Sequence, residues 1–163
     1  MNVARPTSKT LVVGIGSPHG DDQVGWRVIE EIRNAPLAEE ITLRFANSPV
    51  HLLDWLDDCQ QLYVCDGCRG LGAAGTLGSW RWPAKELTQV VWSGTHDLSL
   101  TAVLQLADQL GCLPRHVEVW AVELNHACSG ETISPEVAAV VPHVAEAIRR
   151  ELFTSNYSEV PGA

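Results

Sequence analysis

Asp22, Asp66 and His96 are the residues of this chain whose types and places suit chemistry. Asp22, beside Asp21, follows the loop Gly14-Ile15-Gly16-Ser17-Pro18-His19-Gly20. Asp66 closes the apolar run at residues 61–66 (QLYVCD), and His96 stands just before an amphipathic segment that begins near Asp97. Two carboxylates and one imidazole make a mixed oxygen and nitrogen donor set. Such a set suits a divalent transition metal that keeps positions open for water or substrate. Each residue also has a plain structural reading. Asp21 and Asp22 suit the first turn of a helix, where acids complement the macrodipole. Asp66 before Gly67 suits a turn, and His96 suits an exposed position beside an N-cap. Residue pattern alone leaves both readings open.

The elements that would have to position these residues follow from periodicity. Residues 10–16 (TLVVGIG) read as a buried strand running into a glycine turn. Residues 22–33 place Val24, Val28, Ile29 and Ile32 on one helical face. Ile41, Leu43 and Phe45 alternate as in a half-buried strand. Residues 50–58 suggest a short helix, 61–66 a second buried strand, and 70–75 a glycine-rich turn. Residues 76–82 suggest an edge or antiparallel strand stopped by Pro83. A helix is expected over 97–110, ended by Gly111 and Pro114, and a strand over 116–122. The last helix is expected over 134–152, with Ser134 as N-cap, Pro135 at its first position and Pro142 kinking or splitting it. This alternation implies one α/β domain over 1–163, with its core at about 10–152 and a polar, frayed tail at 154–163. The domain has three layers: a mostly parallel twisted sheet of about five strands with helices on both faces. Ligands of such sheets sit beyond the carboxyl ends of the strands, where Asp22, Asp66 and His96 would converge.

Composition narrows the functional classes. A net charge of −9, from 20 acidic and 11 basic residues, argues against nucleic acid and against an anionic membrane surface as partners. No apolar run reaches the length of a membrane span, and residues 1–10 hold no apolar core of a secretory signal. The five cysteines are odd in number and scattered, so reduced thiols in a cytoplasm are expected rather than a disulfide set.

Several motifs compete with the metal reading. Cys65-Asp66-Gly67-Cys68 is a C-x-x-C pair, a redox candidate, although Gly67, Gly70 and Gly72 disfavour the helix such pairs open. A zinc site would need a second such pair, and none is present. Gly14-Ile15-Gly16 faintly suggests a dinucleotide turn, but His19 stands where the third glycine belongs, and Gly20 comes one residue late. No Gly-x-Ser-x-Gly is present, so a nucleophile elbow is not supported. Among the remaining histidines, His19 lies nearest to Asp22 and is a candidate to touch a metal or substrate. Trp80 and Trp82 suit either a peptide groove or the core.

The segment Gly14–Gly25 resembles the opening motif of the nickel–iron hydrogenase maturation proteases: a strand, G-x-G, a short loop, an acidic pair and a glycine at the start of a helix. Val64-Cys65-Asp66 resembles that family's second ligand at the end of a later strand. Ser93-Gly94-Thr95-His96 resembles its third ligand before a helix, and Leu110-Gly111-Cys112-Leu113-Pro114 resembles the region that follows. The likeness covers roughly residues 10–150 in order. Ser17 stands where the family often has Asn, and Asp22 where some members have Glu. Ala46-Asn47-Ser48-Pro49-Val50 lacks the family's Asp-Gly-Gly-Thr-like loop. The resemblance implies an endopeptidase that removes the C-terminal extension of a hydrogenase large-subunit precursor after nickel insertion. Asp22, Asp66 and His96 would be its metal-binding and catalytic residues, and the nickel would be presented by the precursor. The alternatives are a non-catalytic nickel- or precursor-binding maturation chaperone that uses the same trio without cutting, and a C-x-x-C redox module.

Overall fold

The computed structural model describes residues 9–94, 97–127 and 130–158, with side chains to residue 155. A six-stranded sheet forms its centre. The strands are β1 (Lys9–Ile15), β2 (Ile41–Ala46), β3 (Cys59–Arg69), β4 (Leu77–Arg81), β5 (Val91–Trp92) and β6 (His116–Glu123), in the order β2-β1-β3-β6-β4 with β5 beside β3. β2, β1, β3 and β6 are parallel, whereas β4 and β5 run antiparallel to their neighbours. Parallel strands are covered on both faces, and β1 and β3 are correspondingly buried along almost their whole length.

Helices α1 (Val24–Arg33) and α3 (Pro135–Ser158) cover one face. Val24, Val28, Ile29 and Ile32 of α1 pack there with Val12, Tyr63, Cys65 and Trp120 of the sheet and Val137, Val144 and Ile148 of α3. Helix α2 (Leu100–Gln109) and a 3-10 segment, Pro49–Asp54, cover the other face. There Leu52, Leu100, Val103 and Leu104 meet Val13, Leu62, Val64 and Val119. The three-layer α/β arrangement is therefore the one expected, with six strands rather than about five.

Local chemistry sets the helix ends. Ser99 Oγ accepts the Ala102 N–H at the start of α2, so the helix begins three residues later than its apolar period suggests. At its end Gly111 takes φ 73°, and the Gly111 and Cys112 N–H groups donate to Asp108 and Ala107, a Schellman closure. The first acidic turn is a 3-10 segment, Gly20–Gln23, which leads into α1. The 50–58 helix proves to be the 3-10 segment at Pro49–Asp54.

Two expectations are corrected. Pro142 does not split α3, which continues as a helix to Ser158 and takes in the first residues of the expected tail. Asp66 does not close its strand: β3 extends to Arg69, paired with β6 as far as Cys68–Glu123. Gly67 is the physical reason. It is not a turn residue but a close-packing one, since a Cβ there would stand 2.7 Å from Leu124 Cδ2. Among the described residues no helix is long and apolar enough to cross a membrane.

Candidate active site

The chain passes from β1 to β2 on one side and then to β3 on the other, which opens a crevice at the carboxyl ends where this order reverses. A cleft of about 650 Å³ lies there, lined among others by Ser17, His19, Asp22, Asn47, Ser93 and His126. Each lining residue follows from a strand end. Ser17 to Asp22 come after β1, Asn47 after β2, Ser93 after β5 and His126 after β6.

The two neighbouring acids have separate jobs. Asp21 is buried and faces away from the cleft. Its carboxylate accepts from the Ser134 N–H (2.6 Å), the Ser134 hydroxyl (2.8 Å) and the Asn125 N–H (2.8 Å). The Ser134 hydroxyl thus ties the start of α3 to the turn before α1. Asp22, half-buried, lines the cleft. Exchanging Asp21 for Ala strands these donors and is expected to lower stability by about 2–3 kcal/mol. Asp22→Asn is expected to leave stability within about 0.5 kcal/mol. Urea denaturation of both variants checks the contrast.

Asp66 is fully buried behind the cleft. Its Oδ1 accepts from the Gly67 N–H and from the Ser93 hydroxyl, both at 2.8 Å, while Oδ2 has no hydrogen-bond partner among the described residues. Burial lifts its pKa well above the ordinary carboxylate range. The Ser93 hydroxyl opposes the shift, the nearby Asp22 charge adds to it, and the Gly67 N–H opposes it. A desolvated carboxylate oxygen without a donor is a costly feature for the fold to keep. It fits a bound cation, and the charge of Asp22 is near enough to act on Asp66. His96 lies outside the described residues. Ser93, three residues before it, is anchored to Asp66 by its side chain and to the Gly67 carbonyl by its N–H (2.9 Å), and Gly94 lines the cleft. Among the described residues no group of three His, Cys, Asp or Glu side chains is placed to hold a metal; they supply the two carboxylates.

The redox reading does not survive the strand geometry. Positions three apart on a strand face opposite ways. Cys65 packs under α1 and α3, while Cys68 packs on the α2 side. Burial raises both thiols, Cys65 strongly and Cys68 to about 12, with Glu123 adding to the second. Mild oxidation is expected to leave the Cys65 and Cys68 thiols unjoined, and Cys65 is expected to alkylate only in denaturant; peptide mass mapping checks both.

His19 lines the cleft as expected, whereas Trp80 and Trp82 pack on the core. Sequence reasoning missed Ser93, Arg69 and His126 as cleft residues. The signal for His126 was present, because it follows the end of a parallel strand. That for Ser93 and Arg69 was hidden, because it depends on the short β5 folding back against β3.

Solved structures of similar shape bear on this arrangement. A hydrogenase 2 maturation peptidase from a Thaumarchaeota archaeon superposes with a TM-score of 0.66 at 21% identity, covering 88% of this chain and 97% of that one. The hydrogenase-maturating endopeptidase HybD from E. coli gives 0.71 at 20%, covering 90% and 93%. The nickel–iron hydrogenase maturation protease HycI from Thermococcus kodakarensis gives 0.67 at 18%, covering 90% and 94%. This chain has the fold of the hydrogenase maturation peptidases. No protein-family model matches it, and no curated protein matches it by sequence. The shared fold runs the length of the domain, so the cleft sits in a scaffold that those peptidases also use.

Proposed function

We propose that this protein is a nickel-dependent endopeptidase of the cytoplasm that removes the C-terminal extension of a nickel–iron hydrogenase large-subunit precursor once its nickel is in place. The observation that carries the reading is the buried Asp66 carboxylate, held on one side by Ser93 and Gly67 and, among the described residues, left without a donor on the other. Asp22, Asp66 and His96 are the residues assigned to the nickel, which arrives as part of the substrate. When bound, the ion supplies Lewis-acid polarisation of the scissile carbonyl or of a water.

The protein's own groups do the rest. Ser93 and Gly67 fix the Asp66 carboxylate, so Oδ2 is presented without reorganisation. Asp22 adds a second negative oxygen donor, and its charge adds to the cost of ionising Asp66 until a cation offsets it. This makes the pair a sensor, since the cleft is electrostatically complete only when the precursor carries its metal. Neither carboxylate serves as a strong base beside a divalent ion, because the ion holds it ionised. The fold similarity to enzymes named as maturation peptidases supports the same reading.

The test is mass spectrometry of a cognate precursor, loaded with nickel or stripped of it, incubated with the protein. A C-terminal mass loss only with nickel supports the proposal. Nickel-dependent binding without mass loss points instead to a chaperone that senses the same state. Neither binding nor cleavage of an intact, loaded precursor overturns it.

A further inference from the structure

The wall of the cleft beyond Asp22 carries a second charged arrangement, of opposite sign. Glu123 is almost fully buried, at 4% exposure. Its carboxylate accepts from the Leu71 N–H (2.8 Å) and the Gly70 N–H (3.2 Å) and lies 3.4 Å from His126 Nε2. Burial alone would raise its pKa, but the Leu71 and Gly70 N–H groups and His126 hold it below the usual carboxylate range. Glu123 is therefore a fixed anion. The other ring nitrogen of His126, Nδ1, lies 3.3 Å from Arg69 Nη2. A guanidinium only donates, so Nδ1 is the acceptor and the ring proton sits on Nε2, facing Glu123. The chain Glu123–His126–Arg69 thus orients one guanidinium at the cleft wall, where Arg69 and His126 both line the cavity. Among the described residues Arg69 pairs with no carboxylate. It stands in a protein of net charge −9 that has 20 acidic residues available to neutralise it.

We propose that Arg69 is a specificity residue that binds a carboxylate of the substrate segment lying in the cleft, with His126 and Glu123 as positioning residues behind it. The inference rests on the peptidase reading and names its substrate chemistry: a segment with a cation at the Asp22–Asp66 end and an acidic group at the Arg69 end. Arg69 is exposed and rests on His126 through one nitrogen, which leaves the rest of its planar fork free for a carboxylate, a group it matches better than a lysine does. Two carboxylates suit it, an Asp or Glu side chain of the precursor's extension or the terminal carboxylate of that extension.

The experiment is steady-state cleavage of the nickel-loaded precursor by the unmodified protein, Arg69→Gln and Arg69→Glu. Arg69→Gln is expected to raise KM about tenfold to a hundredfold with kcat unchanged, the scale of one lost charge-assisted contact. Neutralising the acidic side chains of the extension one at a time locates the partner. If one of them raises KM equally with the unmodified protein and has no further effect with Arg69→Gln, the side chain is bound. Arg69→Glu paired with Lys at that substrate position should then recover KM. If only amidation of the terminus has this effect, the terminal carboxylate is bound. An unchanged KM for Arg69→Gln, in a variant whose melting temperature matches the unmodified protein, overturns the inference. So does indifference to neutralisation of every carboxylate in the extension. Absence of cleavage by the unmodified protein is a different result, and it overturns the underlying reading of the cleft.

Discussion

Asp66→Asn should abolish cleavage of the precursor and, at neutral pH, make the protein harder to melt. The two effects have one cause. The Asn side chain keeps an oxygen for the Gly67 N–H and the Ser93 hydroxyl, and it puts a neutral amide in place of the oxygen that has no partner among the described residues. The function loses a negatively charged metal ligand, worth roughly a thousandfold or more in rate. The fold loses a carboxyl whose ionisation burial disfavours, which should stabilise it by about 1–3 kcal/mol at neutral pH. For a domain of this size that is about 2–4 °C in melting temperature for each kcal/mol.

The pH dependence has a definite sign. The folded-state pKa of Asp66 lies above its ordinary value of 3.8, because burial disfavours the ion. Below 3.8 both states hold the proton and the carboxyl carries no charge penalty. As pH rises, the unfolded chain ionises first, and the stability contributed by the protonated form is lost until the folded pKa is passed. The advantage of Asp66→Asn should therefore vanish near pH 4 and grow toward neutral. Thermal melts of both proteins from pH 4 to 8 read this directly. An Asn variant that melts lower than the unmodified protein at neutral pH, or that still cleaves, contradicts the account.

Gly25→Ala should be among the most destabilising exchanges in the molecule. Helix propensity alone predicts the opposite, since Ala in place of Gly within a helix favours it by about 1 kcal/mol. The structure reverses that sign. A Cβ on Gly25 would fall well inside contact distance of the Ile15 carbonyl and 2.8 Å from the Cys65 carbonyl, and a Cβ on Gly14 would collide with the Gly25 carbonyl. These are backbone atoms that no rotamer change can move. The bare glycines let α1 lie directly on β1 and β3. Forcing them apart should cost about 3 kcal/mol or more, at the upper end of overpacking effects. It should lower cleavage as well as the urea midpoint. A Gly25→Ala protein with an unchanged midpoint would show that α1 does not depend on this close approach.

The same glycines show why much of the fold was legible in the sequence. Gly14, Gly16 and Gly25 frame a loop between the apolar run Leu11-Val12-Val13 and an amphipathic stripe, so the strand, turn and helix each announce themselves by period. The apolar alternation at 116–122 and the stripe of α3 did so too. What escaped depended on tertiary closure. Gly67 reads as a turn former until Leu124 is seen packed against it, and only then does β3 continue to Arg69 and Cys65 part from Cys68. Asp21 and Asp22 are indistinguishable as letters. Only the three donors from Ser134 and Asn125 separate the acid that holds α3 in place from the one that faces the cleft. The pairing of Ser93 with Asp66 required a two-residue strand, β5, too short to leave a periodic signal. Within the candidate site, strand-end logic put Asp22 at the cleft, whereas Asp66 lies inside β3, three residues short of its end, and the groups that hold it left no signal.

The most direct test of the central claim is to watch the nickel itself. A precursor with a blocked scissile bond, loaded with nickel, can be mixed with the protein and followed by nickel X-ray absorption. Added oxygen and nitrogen ligation is expected when the unmodified protein binds, diminished with Asp66→Asn and with Asp22→Asn. A nickel spectrum unchanged by a complex that demonstrably forms would contradict it.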